Sequence, residues 1–132
     1  MQSLDTNIVL RLLVGDVPEQ AAKIEEMLAA AKPNSFAVAD AVFFECAWVL
    51  SGPLYGFDRG MVGDMLLQVT RIGQINCNRT MLQRAIPRYV QNSTISFTDA
   101  CLVTYVELNN AAPLLTFDKH LAKAIPELAA TL

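Results

Sequence analysis

Short apolar runs alternate along this chain with longer stretches in which apolar residues recur every three or four positions. The short runs are typical of strands, and the longer stretches are typical of amphipathic helices. Because parallel strands need a crossover between them, usually a helix, this alternation predicts an α/β fold. We therefore expect a three-layer α/β/α sandwich with a short, mainly parallel central sheet, built as a single domain over residues 1–132.

Turn residues and capping residues set the predicted boundaries. Strands are expected at 1–5, 36–38, 74–76 and 112–117. Helices are expected at 7–14, 18–31, 41–50, 59–70, 80–90, 99–107 and 119–124. Asp40, Asp58, Thr98 and Asp118 each precede a helical pattern and are predicted as N-caps. Pro87 is expected to shorten or kink the helix that contains it.

Composition and charge favour a folded enzyme over a protein that binds long nucleic acids with high affinity. The chain is 53% hydrophobic and 17% charged, which is enough for a buried core. Its net charge of −3 is unlike that of proteins that grip long nucleic acids through many phosphates. The negative charge does not exclude an enzyme, because a bound metal ion supplies the positive charge that carboxylates lack.

The cysteines and the N-terminal residues predict a cytoplasmic location. Cys46, Cys77 and Cys101 are odd in number, form no C-x-x-C pair and lie among apolar neighbours, so we expect buried free thiols. The first residues have no basic start and no small-residue cleavage site, which argues against a secretory signal. No apolar run reaches the ~18 residues that a membrane span needs, so no membrane contact is expected.

Two aspartates stand at the ends of predicted strands. Asp5 follows the first strand and Asp118 follows the last one, and each precedes a helix. In open parallel sheets, ligands bind beyond the carboxyl ends of the strands, so these carboxylates can converge on one crevice. The alternative interpretation is structural, because aspartate is also a favoured helix cap.

Two further acids lie in apolar helical segments. Glu45 is part of FFECAWVL, which predicts a helix that is nearly all buried. A buried carboxylate costs several kcal/mol unless it is paired or bound to a cation, so Glu45 is expected to meet a metal ion or a core arginine. Asp99 opens another apolar helix, where an acid near the helix N-terminus is also favoured by the helix dipole. Together the four acids suit Mg²⁺ or Mn²⁺, which prefer oxygen ligands.

Four sequence blocks, in this order, resemble the PIN-domain ribonucleases, and especially the VapC-like toxins of type II toxin–antitoxin pairs. The blocks are SLDTNIVLRLLV, VADAVFFECAWVL, SFTDACLVTYVEL and PLLTFDKHLAK. A lone D-T-N is a weak signal, whereas all four blocks in order make a strong one. The resemblance extends over essentially the whole chain.

The resemblance implies a metal-dependent ribonuclease that hydrolyses RNA phosphodiester bonds with Mg²⁺ or Mn²⁺. By this resemblance Asp5, Glu45 and Asp99 are metal ligands. Asp118 corresponds to the fourth catalytic acid, which acts through water or on a second metal. The resemblance also implies an RNA substrate, a cognate antitoxin whose tail occupies the metal site, and a homodimer.

The resemblance gives supporting roles to further polar residues. Asn7 and Thr116 correspond to residues that orient the first and the fourth acid. Asn110 stands where the family has a glycine near the end of a helix, and we expect it to adopt the left-handed conformation. Glu107 could line the rim of the site, although a structural or solvated acid is favoured. His120 is the only histidine, and a surface position is favoured because one histidine cannot supply both acid and base.

Competing functions remain open. A non-catalytic member of the same fold would bind RNA or protein without cleavage. A receiver-type signalling domain fits poorly, because Asp5 lacks an acidic neighbour and Lys119 lies one residue too far along the chain. A haloacid-dehalogenase phosphatase requires a D-x-D motif, and the D-T-N motif at Asp5 lacks the second acid.

Overall fold

The computed structural model describes all 132 residues of the chain. They divide into two compact units, Met1–Arg79 and Thr80–Leu132. Each unit has its own helices and its own parallel strand pairing. None of the helices combines the length and the apolar composition needed to cross a bilayer.

The first unit contains three strands and four complete helices. They are β1 (Gln2–Ser3), α1 (Thr6–Val14), α2 (Pro18–Ala29), β2 (Phe36–Ala37), α3 (Asp40–Ser51), α4 (Arg59–Arg71) and β3 (Ile75–Asn76). The strands form a parallel sheet in the order β1-β2-β3. Backbone hydrogen bonds from Leu4 and Val38 extend the pairing beyond the strand ends. Residues that follow Leu4 and Val38 therefore lie at the carboxyl edge of this sheet.

Local chemistry accounts for the helix boundaries in this unit. Gly15 ends α1 in the left-handed conformation with φ of 68°, and its N–H bonds the Arg11 carbonyl. Pro18 opens α2, where its missing N–H costs nothing. Asp58 caps α4 through the amide of Met61, as predicted. Asp40, predicted as a cap, is instead the first residue of α3.

Helix packing forms the core of the first unit. Helix α1 packs against α2 and α3, and α3 packs against α4. The buried side chains of α3 are Phe43, Cys46, Ala47 and Leu50. Their i, i+3, i+4, i+7 spacing is the single face of an amphipathic helix. The predicted, nearly complete burial of this helix is therefore wrong, and Trp48 on its outer face is 82% exposed.

The second unit combines three helices with two strands. They are α5 (Arg79–Gln91, whose first residue ends the first unit), α6 (Phe97–Leu108), β4 (Leu114–Thr116), α7 (Lys119–Ala124) and β5 (Ala129–Thr131). Strands β4 and β5 pair in parallel across α7, and both α6 and α7 pack against β4. Strand β5 was not predicted. Helix α5 extends past Pro87 to Gln91, so the proline does not end it.

An arginine joins α5 to α6. The guanidinium of Arg88 donates to the Thr104 hydroxyl at 2.8 Å and to the Glu107 carboxylate at 3.3 Å. Arg84 also contacts Glu107 at 3.3 Å. These bonds give Glu107 the structural role favoured from the sequence. Asn110, just beyond the helix, has φ of 52°, as predicted for a residue that replaces glycine.

Candidate active site

Asp5 stands immediately beyond the strand pairing of the first unit. It caps α1, with Oδ1 accepting a hydrogen bond of 3.0 Å from the Ile8 amide. Its side chain is exposed, and Oδ2 makes no hydrogen bond within the chain. Capping therefore fixes the carboxylate while leaving one oxygen available to solvent or a cation. Asn7, predicted to orient Asp5, is exposed and forms no hydrogen bond with it.

Glu45 lies beside the same helix start. Its Oε2 accepts a 2.9 Å hydrogen bond from the hydroxyl of Thr6, the residue that follows Asp5. The structure thus brings two of the four predicted acids to one end of α1. Glu45 is exposed, so the expectation of a buried carboxylate is wrong, and it has no ion pair with an arginine.

The thiol of Cys46, the residue after Glu45, is not exposed as Glu45 is. Cys46 is buried, and its burial, together with the adjacent Glu45 carboxylate, raises the pKa of Cys46 to about 12. The thiol is therefore protonated at neutral pH and chemically inert. Cys101 is also buried, as predicted, whereas Cys77 is only half-buried.

Asp99 belongs to a capping box at the start of α6 in the second unit. The Asp99 amide donates to the Ser96 hydroxyl at 3.0 Å, and the Ser96 amide donates to Asp99 Oδ2 at 3.5 Å. Ser96 is the N-cap, so the prediction of Thr98 was wrong by two residues. Asp99 is half-buried and keeps Oδ1 free of hydrogen bonds.

Asp118 follows β4 and caps α7, as predicted. Its Oδ1 accepts hydrogen bonds from the amides of His120 at 2.9 Å and Leu121 at 3.2 Å. Its own amide donates to the Thr116 hydroxyl at 3.0 Å. Thr116 thereby fixes the backbone that carries the carboxylate, while Asp118 Oδ2 remains without a hydrogen bond. His120 is exposed, as favoured from the sequence.

The four carboxylates share one arrangement. In Asp5, Glu45, Asp99 and Asp118, one oxygen is held by a hydrogen bond and the other has no partner in the chain. None of them forms a salt bridge. Unpaired carboxylate oxygens are the donors that Mg²⁺ and Mn²⁺ prefer, so each residue fits a hard cation. No group of three or more His, Cys, Asp and Glu side chains lies close enough together to hold a metal ion. That all four acids converge on one metal site therefore stays a prediction.

An open cleft of about 580 Å³ adjoins Asp5 in the first unit. Side chains of α1 and α2 line it together with the capping acid: Asp5, Asn7, Ile8, Arg11, Gln20, Lys23, Ile24 and Met27. The lining combines the apolar side chains of Ile8, Ile24 and Met27 with two cations, Arg11 and Lys23, and with the Asp5 carboxylate.

The two cations of the cleft are held differently. Arg11 donates from Nε to the Gln20 amide oxygen at 3.1 Å and lies 3.7 Å from the Asp16 carboxylate. Asp16 also accepts a hydrogen bond from Tyr55 at 2.9 Å, which raises the pKa of that phenol. Lys23 is exposed and has no ion-pair partner. The cleft therefore offers one fixed and one free positive charge.

Sequence reasoning missed the cleft and the Thr6–Glu45 contact. The residues that α2 presents to the cleft are Gln20, Lys23, Ile24 and Met27. Their three- and four-residue spacing marks one helix face and was available in the sequence. The Thr6–Glu45 bond joins residues 39 positions apart, and no local signal predicts such a pairing.

Parallel strands that are followed by capping acids define an α/β protein with carboxylates at its strand ends. The PIN domain family matches residues 3–125, and the chain belongs to this family. No curated protein and no solved structure gives a match. The family match, seven helices and short parallel sheets confirm the predicted PIN-like fold class. PIN domains are generally nucleases, which are hydrolases, and generally use divalent metals.

Proposed function

We propose that this chain is a metal-dependent ribonuclease that hydrolyses RNA phosphodiester bonds and acts as the toxin of a toxin–antitoxin pair. One observation carries the proposal. In a PIN-domain chain, Asp5, Glu45, Asp99 and Asp118 are each held by one oxygen and keep the other oxygen unpaired. Each of the four sequence blocks that resemble the family contributes one of these acids. Helix capping alone does not account for that, because Glu45 lies inside a helix and caps none.

The donor chemistry fits Mg²⁺ or Mn²⁺. Asp5, Glu45 and Asp99 would hold the ion through their free oxygens, and Asp118 would act through water or on a second ion. When bound, the ion supplies positive charge toward the scissile phosphate and makes an attacking water more acidic.

The chain's own residues position the reacting groups. The capping bonds of Asp5 and Asp118 restrict the rotamers of both carboxylates. Little further side-chain entropy is therefore lost when they adopt the reactive geometry. Thr6 restrains Glu45 in the same way through its 2.9 Å hydrogen bond. Asp118, with its free oxygen, can accept a proton from a water molecule or orient it for in-line attack on phosphorus.

Asp99→Asn tests the ribonuclease proposal directly. The amide oxygen of asparagine can still accept the Ser96 amide bond, so the capping box and the fold should survive. We expect RNA cleavage in Mg²⁺ or Mn²⁺ to be lost, because the substitution removes a charged ligand. Cleavage is measured on labelled single-stranded RNA, with and without a chelator.

Asp64→Asn is the matched control, since Asp64 is an exposed acid on α4 without a hydrogen bond or ion pair. It should cleave like the wild type. Undiminished metal-dependent cleavage by Asp99→Asn would refute the assignment of that residue. Metal-independent RNA or protein binding by the wild type, with no cleavage, would favour the non-catalytic alternative.

The proposed partners are a cognate antitoxin and a second copy of this chain. Several large apolar side chains are exposed, including Trp48 at 82% and Leu54 at 77% in the first unit. Side chains of this kind support binding of a partner where they lie together in one patch. The cleft next to Asp5 is lined by apolar side chains and by Arg11 and Lys23, which suits apolar and acidic side chains of an antitoxin segment that leads into the metal site.

Two measurements test these partners. Light scattering of the purified chain at micromolar concentration should give the mass of a dimer, and a monomer would contradict the homodimer. Expression of the chain should arrest growth, and co-expression of a small protein encoded beside it should relieve the arrest. Growth without arrest, from a chain that cleaves RNA in the test tube, would refute the toxin role alone.

A further inference from the structure

Phe117 is an exposed phenylalanine that directly precedes a proposed catalytic acid. It is 79% exposed, and the other five phenylalanines of the chain are buried or half-buried. Phe117 lies between Thr116, the last residue of β4, and Asp118, the proposed fourth catalytic acid. A single exposed apolar side chain is common in proteins. The place of this one is informative, because the ring directly precedes a candidate catalytic carboxylate, where a bound substrate can contact it.

The backbone on both sides of the ring is fixed. On the strand side, Thr116 pairs with Thr131, and its carbonyl accepts a 3.0 Å bond from the Leu132 amide. On the helix side, the Asp118 amide donates to the Thr116 hydroxyl, and the Asp118 carboxylate caps α7. Phe117 therefore extends from a short rigid connection, which lowers the entropy lost when a ligand contacts the ring.

The helix that follows Asp118 carries positive charges. Lys119 and Lys123 are exposed, have no ion-pair partner and lie one helical turn apart on α7. Proteins bind single-stranded nucleic acids by combining exposed rings, on which bases stack, with cations that contact the phosphates. Phe117 and the two lysines that follow it supply both kinds of group on one short stretch of chain. The core of a protein–protein interface is instead depleted of charged residues.

We propose that Phe117 stacks on an unpaired base of the RNA substrate, next to the phosphodiester that Asp118 addresses. This inference rests on the proposed ribonuclease function. Stacking on a ring tolerates every base, because each base has a π-face. Phe117 would therefore select unpaired over paired nucleotides and would impose little preference among the four bases.

The test measures RNA binding separately from cleavage. The probe is a short single-stranded RNA with 2-aminopurine, a fluorescent base whose emission falls when it stacks on a ring. The Asp99→Asn chain is used for binding, so that the probe is not cut. Adding Phe117→Ala should weaken binding about 5- to 100-fold and remove the quenching of the base. Phe117→Trp should retain both, because it preserves a stacking surface.

Leu115→Ala is the matched control, because Leu115 is 60% exposed on the preceding strand and is not part of the proposed catalytic group. It should leave binding and quenching unchanged. In the active chain, Phe117→Ala should raise KM for single-stranded RNA while kcat changes little. Fully paired RNA should show no dependence on Phe117.

The outcomes separate this inference from the function on which it rests. A wild-type chain that neither binds nor cleaves RNA overturns both proposals. A chain that cleaves RNA, with unchanged KM and quenching in Phe117→Ala, overturns the stacking role alone. A change in oligomeric mass or antitoxin binding in Phe117→Ala, with RNA affinity unchanged, would instead assign the ring to a protein contact.

Discussion

The hydrogen bond between Thr6 and Glu45 provides a sharp test of the candidate site. Thr6→Val removes the hydroxyl and keeps the side-chain shape, and the two residues have similar helix propensities. The bond is 2.9 Å long and exposed, so its net contribution to stability is about 1 kcal/mol or less. We expect the midpoint of thermal unfolding to fall by no more than ~4 °C.

The expected loss of activity is much larger than this loss of stability explains. A domain with at least ~5 kcal/mol of stability stays more than ~99% folded after losing 1 kcal/mol. Residues that orient a metal ligand, by contrast, typically change metal affinity or activity by ~10- to 100-fold. Thr6→Val should therefore lower RNA cleavage by about tenfold or more at limiting Mg²⁺. Part of this loss should be recovered at higher Mg²⁺ concentration.

The assay compares cleavage rates over a Mg²⁺ titration, with thermal unfolding of the same preparations. Thr6→Ser is the matched control, since it retains the hydroxyl that donates to Glu45. It should stay within a fewfold of the wild type. A Thr6→Val chain that cleaves RNA at the wild-type rate across the titration would refute the positioning role. Equal damage in Thr6→Ser would point to local packing and not to the hydrogen bond.

Two further predictions concern the stability of each unit. Arg88→Met should destabilise the chain by ~2 kcal/mol in urea unfolding, because Arg88 bonds the buried Thr104 and the Glu107 carboxylate; an unchanged midpoint would contradict this. Burial raises the pKa of Cys46 from 9.0 to about 12, so its thiol ionises in the unfolded chain first. Stability should be complete below pH 9 and fall between pH 9 and 12, and Cys46→Val should reduce the slope of this fall. An identical pH dependence of stability in the wild type and in Cys46→Val would show that ionisation of Cys46 does not cause the fall.

Sequence reasoning succeeded where a local signal decides the structure. Pro18, Asp58 and Asp118 each fix a helix start through their own side-chain chemistry, and all three helices begin where predicted. Gly15 ends α1 for the same kind of reason. Such features depend on a few neighbouring residues, so tertiary packing did not override them.

The failures come from positions that packing decides. The α3 sequence is apolar on almost every side, so its composition does not reveal which residues face outward, and Glu45 and Trp48 were expected inside. Strand β5 consists of Ala129–Thr131, a segment with weak strand propensity that is held by its pairing with β4. The candidate site shows the same difference between local and tertiary features. The acids were visible in the sequence, but the Thr6–Glu45 contact, which depends on packing, was not.

Capping and metal binding are compatible roles, and this explains why the sequence left them as alternatives. Asp5 and Asp118 each use one oxygen to cap a helix and keep the second oxygen free. Substitution by alanine would remove both functions at once and cost about 1 kcal/mol from the lost cap, so reduced activity would be ambiguous. Substitution by asparagine preserves an oxygen for the cap and removes the charge. A chain in which Asp5→Asn folds like the wild type yet loses metal-dependent cleavage would therefore assign the free oxygen to the reaction, whereas equal activity would leave Asp5 as a cap alone.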